Sequence, residues 1–281
     1  MKKILGLLGS PRRLGNCEIM VKEISRQIDA PHELDLLRLP EFDIQSCRGC
    51  YRCLMEDQRC PLADDFYSVL TAITAADALV VAAPTYFLGA NSCLKRFLDR
   101  GLARYDHTAG LWGKPAVGIG IAGIRGKEGG TLLDIERFLK LLLADVKGVR
   151  MAFGALPGEV FLNPETREIA SAQAAALFGP PLPPEAPCCP LCGGTTFRFL
   201  GGDRVQCQLC SNTGTFRIAG NAPVFDIARS AHELFLTQAD VENHKKWLLG
   251  MKARFLEKKT ELKQITLPYL KEGRWIRPEG K

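Results

Sequence analysis

Short apolar runs at residues 3–8, 33–37, 78–83, 116–121 and 149–153 alternate with amphipathic stretches over the first 178 residues. This alternation constrains the fold most, because parallel strand neighbours need a crossover long enough to hold a helix. The intervening helices are expected at residues 16–28, 64–75, 91–103, 131–143 and 164–177. In the fourth of these, Leu132, Ile135, Phe138, Leu139 and Leu142 recur at spacings of three and four residues and mark one buried face. The expected fold class is α/β, a doubly wound five-stranded parallel sheet with helices on both faces.

Residues 179–187, Gly-Pro-Pro-Leu-Pro-Pro-Glu-Ala-Pro, can neither continue a helix nor join a central strand, because proline lacks an amide donor and fixes φ. The expected organisation is therefore a main domain over 1–178, a Pro-rich linker over 179–187, a compact four-cysteine unit over 188–218 and a helical extension over 219–281. The cysteine unit carries β-prone pieces at 195–200, 204–206 and 215–218, and a long charged helix is expected over 238–264. The apolar run at the N-terminus is too short for a secretory signal, and no stretch approaches the roughly 20 apolar residues of a membrane span. The expected location is the cytoplasm, with no membrane association. The excess of 37 basic over 31 acidic residues lies largely near the C-terminus and reads as a solvated helix face. Basic and aromatic residues are sparse in the cysteine unit, so no nucleic-acid partner is expected.

The first strand leads into Gly9-Ser10-Pro11-Arg12-Arg13-Leu14-Gly15-Asn16-Cys17, with a helix starting at its end. Unpaired amides and the positive end of the dipole suit a phosphate there, assisted by the Ser10 hydroxyl and a guanidinium. The alternative is an ordinary turn whose arginines face solvent. The GxGxxG fingerprint of a dinucleotide site is absent, which favours a mononucleotide. Ligands of such sheets sit at the carboxyl ends of the strands, so the loops containing Pro84, Thr85, Tyr86, Phe87 and Leu88, and Gly123, Ile124 and Gly126, are expected to complete the site. Aromatic side chains beside glycines suit a flat ring that needs an apolar wall and backbone amides along its polar edge.

The Gly-Ser-Pro-Arg run with Gly15-Asn16, the later Pro84-Thr85-Tyr86, the segment 91–100 and the glycine-rich loop over 122–130 resemble the NADPH-dependent FMN reductase group of flavodoxin-like proteins. The resemblance covers residues 1 to about 178. It implies FMN phosphate at Ser10, Arg12, Gly15, Asn16 and Cys17, and an isoalloxazine against Pro84 to Leu88 and Gly123 to Gly126. It also implies a homodimer or higher homo-oligomer. Cys17 stands where Ser or Thr is usual, which leaves its amide but not a hydroxyl for the phosphate.

Cysteine is the other informative residue type: eleven are present, and nine fall in two tight groups. In the first, Cys47, Cys50 and Cys53 stand at two-residue gaps and Cys60 follows after six residues. That cadence is commoner for an iron-sulfur cubane than for zinc, whose pairs are normally separated by a longer loop, although zinc remains conceivable. With Asp64-Asp65-Phe66 just downstream, it resembles the iron-sulfur flavoprotein branch of the same family, which implies one 4Fe-4S cluster near FMN. Arg48, Arg52 and Arg59 would offset the negative charge of such a cluster.

In the second group, Cys189 and Cys192 are separated from Cys207 and Cys210 by fourteen residues, the spacing of a zinc ribbon. A structural zinc would stand in for a core that about thirty residues cannot build. A rubredoxin-like single iron accepts the same four thiolates and stays open at this point. Cys188 reads as a spare thiol.

The expected function is an FMN-dependent oxidoreductase that passes electrons between FMN and the cluster, with ferredoxin or NAD(P)H as donor and no catalytic side chain required. Two alternatives stay open, an NAD(P)H-dependent flavin or quinone reductase without a working cluster, and a redox-responsive interaction module.

Overall fold

A strand that is apolar on both faces belongs at the centre of a parallel sheet, where helices cover it from above and below. β1 (Lys2–Leu8) is such a strand, with Ile4, Leu5, Leu7 and Leu8 all buried. In the computed structural model, which describes residues 1–55 and 59–276, it is followed by α1 (Asn16–Arg26), β2 (His32–Arg38), α2 (Phe66–Ala75) and β3 (Ala78–Tyr86). Next come the two-residue β4 (Gly89–Ala90), α3 (Ser92–Asp99), a 3-10 turn (Gly101–His107), α4 (Thr108–Leu111), β5 (Pro115–Ala122), α5 (Thr131–Leu141), β6 (Asp145–Phe153) and α6 (Glu165–Leu177). The long strands are ordered β2-β1-β3-β5-β6, and every neighbouring pair is parallel. This is the flavodoxin-like doubly wound sheet, with its switch point between β1 and β3.

One face of the sheet packs Ile4, Leu8, Val80 and Ile119 against Met20, Val21 and Ile24 of α1 and Ala170, Ala174 and Leu177 of α6. The other packs Leu5, Leu7, Leu79 and Val81 against α2, α3 and α5, including the row Ile135, Phe138 and Leu139. Gly6 lets α1 approach: a Cβ there would stand 2.5 Å from Val21 Cγ1. Fully burying such side chains contributes about 1.5–3 kcal/mol each, so the two faces dominate the stability of the sheet.

Several helix ends differ from the periodicity. α2 starts at Phe66 rather than 64, because Asp64 and Asp65 accept amide protons from Gln45 and Asp43 and tie the preceding loop down. α3 stops at Asp99 rather than 103, since the next residue, Arg100, turns inward to the Asp64 carboxylate. α5 gives way to Leu143 in a left-handed conformation, whose carbonyl accepts from Gly113.

A second, antiparallel sheet is built from β7 (Phe197–Gly201), β8 (Arg204–Cys207), β9 (Thr213–Ala219) and β10 (Ala222–Ile227), in the order β10-β9-β8-β7. β10 lies beyond residue 218 and was not expected; Gly220, with φ +62°, turns the chain so that Ala222 faces Ala219. Its Phe225 stacks on Phe197 at 3.7 Å. The proline-rich segment is laid along the edge strand β6, with Leu182 N donating to Lys147 O at 2.7 Å and Arg150 donating to Pro183 O at 2.6 Å. α7 (Gln238–Thr266) opens on a capping box between Thr237 and Asp240 and buries only Val241 and Leu248. Among the described residues no helix is long and apolar enough to cross a membrane.

Candidate flavin cleft and metal centres

The carboxyl ends of β1, β3, β5 and β6 enclose one cleft. Of the residues expected there, Ser10, Arg12, Gly15, Asn16, Cys17, Pro84, Thr85, Tyr86 and Gly123 line it. Phe87, Leu88 and Ile124 are exposed and do not line it, nor does Gly126. Ile121, Gly154, Ala155 and Pro157 line it as well. The β6 loop offers mainly backbone, and no chemistry-bearing side chain announces it in the sequence.

Gly15 caps α1 without a side-chain hydrogen bond, so the first-turn amides of the helix are left for a ligand. The Ser10 hydroxyl accepts from Arg12 N at 3.2 Å, and Arg12 Nη1 donates to Ala155 O at 3.1 Å. The Asn16 side chain is committed to the β6 loop: Nδ2 donates to Gly154 O and Oδ1 accepts from Gly158 N, both at 2.9 Å. It therefore fixes the far wall of the cleft, so that its backbone amide, rather than its carboxamide, is free for a ligand. Burial pushes the Cys17 thiol up to about 12, with Cys93 adding to the effect, so it stays neutral.

Sequence reasoning missed the residue that holds this loop. Arg38, at the end of β2, donates to Ser10 O at 3.2 Å, to Arg12 O at 2.8 Å and to Glu18 Oε2 at 2.8 Å. Burial would raise the Glu18 carboxyl, but hydrogen bonds from Lys22, Arg38 and the Leu14 amide outweigh it and hold the group down at about 2. A depressed carboxyl stabilises the fold above its unfolded value of about 4.5, and that contribution fades as the pH falls toward 2. Arg38→Met is expected to weaken FMN binding by at least roughly tenfold, through loss of charge-assisted hydrogen bonds worth about 1.5–3 kcal/mol each. It should also shift acid unfolding to higher pH, and flavin fluorescence titration with a pH melt checks both.

The β3–β4 turn is strained. Phe87 and Leu88 have φ of +48° and +66°, as a two-residue I′ hairpin requires, although neither is glycine. Contacts with α5 keep the turn in place: Gly130 N donates to Leu88 O, Ala90 N donates to Asp134, and the Thr85 and Thr131 hydroxyls pair at 2.8 Å. Gly129 fits beneath, where a Cβ would stand 2.2 Å from Leu88 O.

The first thiol group follows β2 on the same sheet edge. Cys47, Cys50, Cys53 and Cys60 all line one pocket with Tyr51, Leu62 and Arg100, and all four are free thiols. Burial, and then the neighbouring Cys60, pushes Cys53 up to about 11. Arg100 is almost wholly buried, paired with Asp64, stacked on Phe66 at 4.6 Å and donating to Gln45 O. Its Nε has no hydrogen-bond partner among the described residues, and the Cys60 sulfur acts on the guanidinium. Four thiols around a pocket and an orphaned donor at its wall fit an anionic, thiolate-ligated cluster.

The second thiol group is tighter. The sulfurs of Cys189, Cys192, Cys207 and Cys210 lie within 4.8 Å of one another, with Cys189 to Cys210 at 3.9 Å and Cys192 to Cys207 at 3.6 Å. Sulfurs about 2.3 Å from a single tetrahedral ion stand roughly 3.8 Å apart, so this group suits one ion. Hydrogen bonds from Cys192 and Cys207 hold the Cys210 thiol far below its ordinary value.

Residues 2–142 match the family described as NADPH-dependent FMN reductase. An iron-sulfur flavoprotein of Archaeoglobus fulgidus is 31% identical over 159 residues, covering 56% of this chain and 71% of that protein. The chain belongs to the NADPH-dependent FMN reductase family. An iron-sulfur flavoprotein of Methanosarcina thermophila is similar to this FMN reductase family member at 27% identity over 158 residues, covering 55% of the chain and 81% of that protein. A solved structure of a flavone reductase superposes with a TM-score of 0.71 over 98% of this chain and 100% of its own, at 19% identity. That likeness concerns the fold alone, and it extends past the flavodoxin-like sheet over nearly the whole chain. As a member of the NADPH-dependent FMN reductase family with iron-sulfur flavoproteins among its relatives, the protein is a flavin-dependent oxidoreductase.

Proposed function

We propose that the chain passes electrons between FMN and a 4Fe-4S cluster held by Cys47, Cys50, Cys53 and Cys60, with ferredoxin or NAD(P)H as donor. The observation that carries this reading is the gathering of the four free thiols around one pocket on the sheet edge that also forms the flavin cleft. Bound FMN supplies the conversion between two-electron and one-electron chemistry.

The side chains position and neutralise. The α1 amides, the Ser10 hydroxyl and the Arg12 guanidinium receive the phosphate, while Arg38 holds their loop. Pro84, Thr85 and Tyr86 wall one side of the cleft, and Gly123 admits the ring edge on the other. Arg48, Arg52 and Arg59 lie in the cysteine segment, where their charge favours the reduced cluster. They also suit an acidic electron carrier. Cys189, Cys192, Cys207 and Cys210 hold a structural zinc. The exposed apolar residues Leu249, Phe255, Leu256 and Ile265 of α7 support association with a second copy.

Anaerobically purified protein is expected to contain iron and acid-labile sulfide near about four each per chain, with a cluster spectrum beside that of the flavin. A yellow, iron-free preparation after anaerobic reconstitution would overturn the cluster reading. Direct bleaching of the flavin by NADPH selects NADPH as donor, and bleaching only through ferredoxin selects ferredoxin.

A further inference from the structure

Away from the flavin cleft and the thiol groups, a cavity of about 290 Å³ lies among α2, α3, the 101–107 turn, α5 and the C-terminal segment. Its size is at the lower end of small-molecule sites, about 300–1,000 Å³. Its walls are mostly apolar, including Phe66, Phe97, Leu102, Leu142 and Leu234. The exception is Arg104, which lines the cavity and is only 6% exposed. Its guanidinium rests on the Tyr105 ring at 4.8 Å, and its buried Nη1 has no hydrogen-bond partner among the described residues.

Arg100, four residues earlier, has the counter-charge that Arg104 lacks: its terminal nitrogens meet the Asp64 carboxylate and the Gln45 carbonyl, and only its Nε is left over. Arg104 has no such arrangement. Burial lowers its pKa, and Tyr105 is the one titratable neighbour that opposes the effect. Of the carboxylates near the cavity, Asp99 pairs with Lys95 and Asp106 with Lys245, the latter at 3.3 Å, while Glu242 stands exposed on α7 and acts on Tyr105. A buried cation without a counter-charge is costly, so an anion is the missing partner.

The chemistry of the walls narrows the anion. One guanidinium fork matches one planar carboxylate, whereas a phosphate dianion would leave a net charge in an apolar cavity. The apolar walls call for an apolar body. His244 also lines the cavity; its Nδ1 pairs with His232 Nε2 at 2.7 Å, which leaves its Nε2 for a ligand. Leu102 is shared with the pocket of the first thiol group, so a ligand here would adjoin the cysteine loop.

We propose that this cavity binds a small monocarboxylate with a compact apolar body, anchored on Arg104. The inference is independent of the metal content of the cysteine loop. Benzoate titrated into the full-length, flavin-loaded protein should bind one per chain by calorimetry and raise its melting temperature, whereas benzyl alcohol should do neither. Arg104→Met should weaken benzoate by at least roughly tenfold, the loss of a charge-assisted hydrogen bond. The ligand-free variant should melt no lower than the parent, because an unpaired buried charge has been replaced by an apolar side chain of similar length. The proposal is overturned if the parent takes up no benzoate, if benzyl alcohol binds as well, or if Arg104→Met binds benzoate undiminished. A ligand-free Arg104→Met protein that melts well below the parent would also overturn it, by making Arg104 a structural residue.

Discussion

Cys53→Ser is expected to strip most of the iron and sulfide from the protein while leaving close to one flavin per chain. Cys53 and Cys60 are half-buried in the wall of the pocket, whereas Cys47 and Cys50 are exposed, so replacing Cys53 removes one of the two ligands more enclosed by protein. A serine hydroxyl is a harder and weaker ligand for iron than a thiolate. The neighbouring Leu54 is buried and anchors the short 3-10 turn Arg52–Leu54, so the loop should keep its place. The flavin cleft is assembled from the ends of β1, β3, β5 and β6, none of which contributes a thiol of this group. One-electron exchange with ferredoxin should therefore be lost while the flavin remains reducible by a two-electron donor. Iron and sulfide assay, flavin extraction and electron-spin spectra of the variant check this, and a full cluster signal in Cys53→Ser would refute the assigned ligand set.

Removing the ion from the second thiol group should unfold the small sheet without emptying the flavin cleft. Ordering each residue costs about 1–2 kcal/mol of backbone entropy, and β7 to β10 with their turns bury few large apolar side chains to offset it, chiefly Val205, Leu209 and Ile227. Metal binding contributes on the order of 10–16 kcal/mol in zinc-finger peptides, enough for the proposed ion to decide whether this sheet forms. Cys207→Ser, or treatment with a strong chelator, should open residues 188–227 to proteolysis and release the metal. The segment leading to α7 should loosen with it, because Asn212 accepts from Ser230 N and donates to Glu233. The flavodoxin-like sheet should melt somewhat lower, since Arg137 donates to Gln208 O across the contact at 2.8 Å. Metal analysis and limited proteolysis read the result. Protease resistance of a metal-free chain would show that packing alone suffices, and visible colour in the isolated metal fraction would replace zinc by iron.

Much of the fold was legible in advance because its signals are local. β1, β3 and β5 are apolar on both faces and could only be central strands, and the buried row of α5 repeats at helical spacing. Four thiols at ribbon spacing had to converge, and they do. β10 carried a local signal that was overlooked, a Gly220-Asn221 turn between two β-prone runs. Other features had none. Arg38 sits in an unremarkable strand end, and its role exists only because β2 pairs with β1 and brings it beneath the phosphate loop. Asn16 reads as a phosphate ligand until the β6 loop, some 140 residues later, captures both ends of its carboxamide.

Amino-acid order alone determined the strand–helix alternation, the loop that lines the cleft after β1 and the spacing of both thiol sets, because burial periodicity and ligand spacing are properties of neighbouring residues. Only the folded chain decided which buried arginine meets a counter-charge, Arg100 with Asp64 but Arg104 with none among the described residues, and which loops close the cleft. Those outcomes depend on which strand ends and helix faces meet in space, and hydrogen bonds between groups far apart in sequence form only after the sheet has closed.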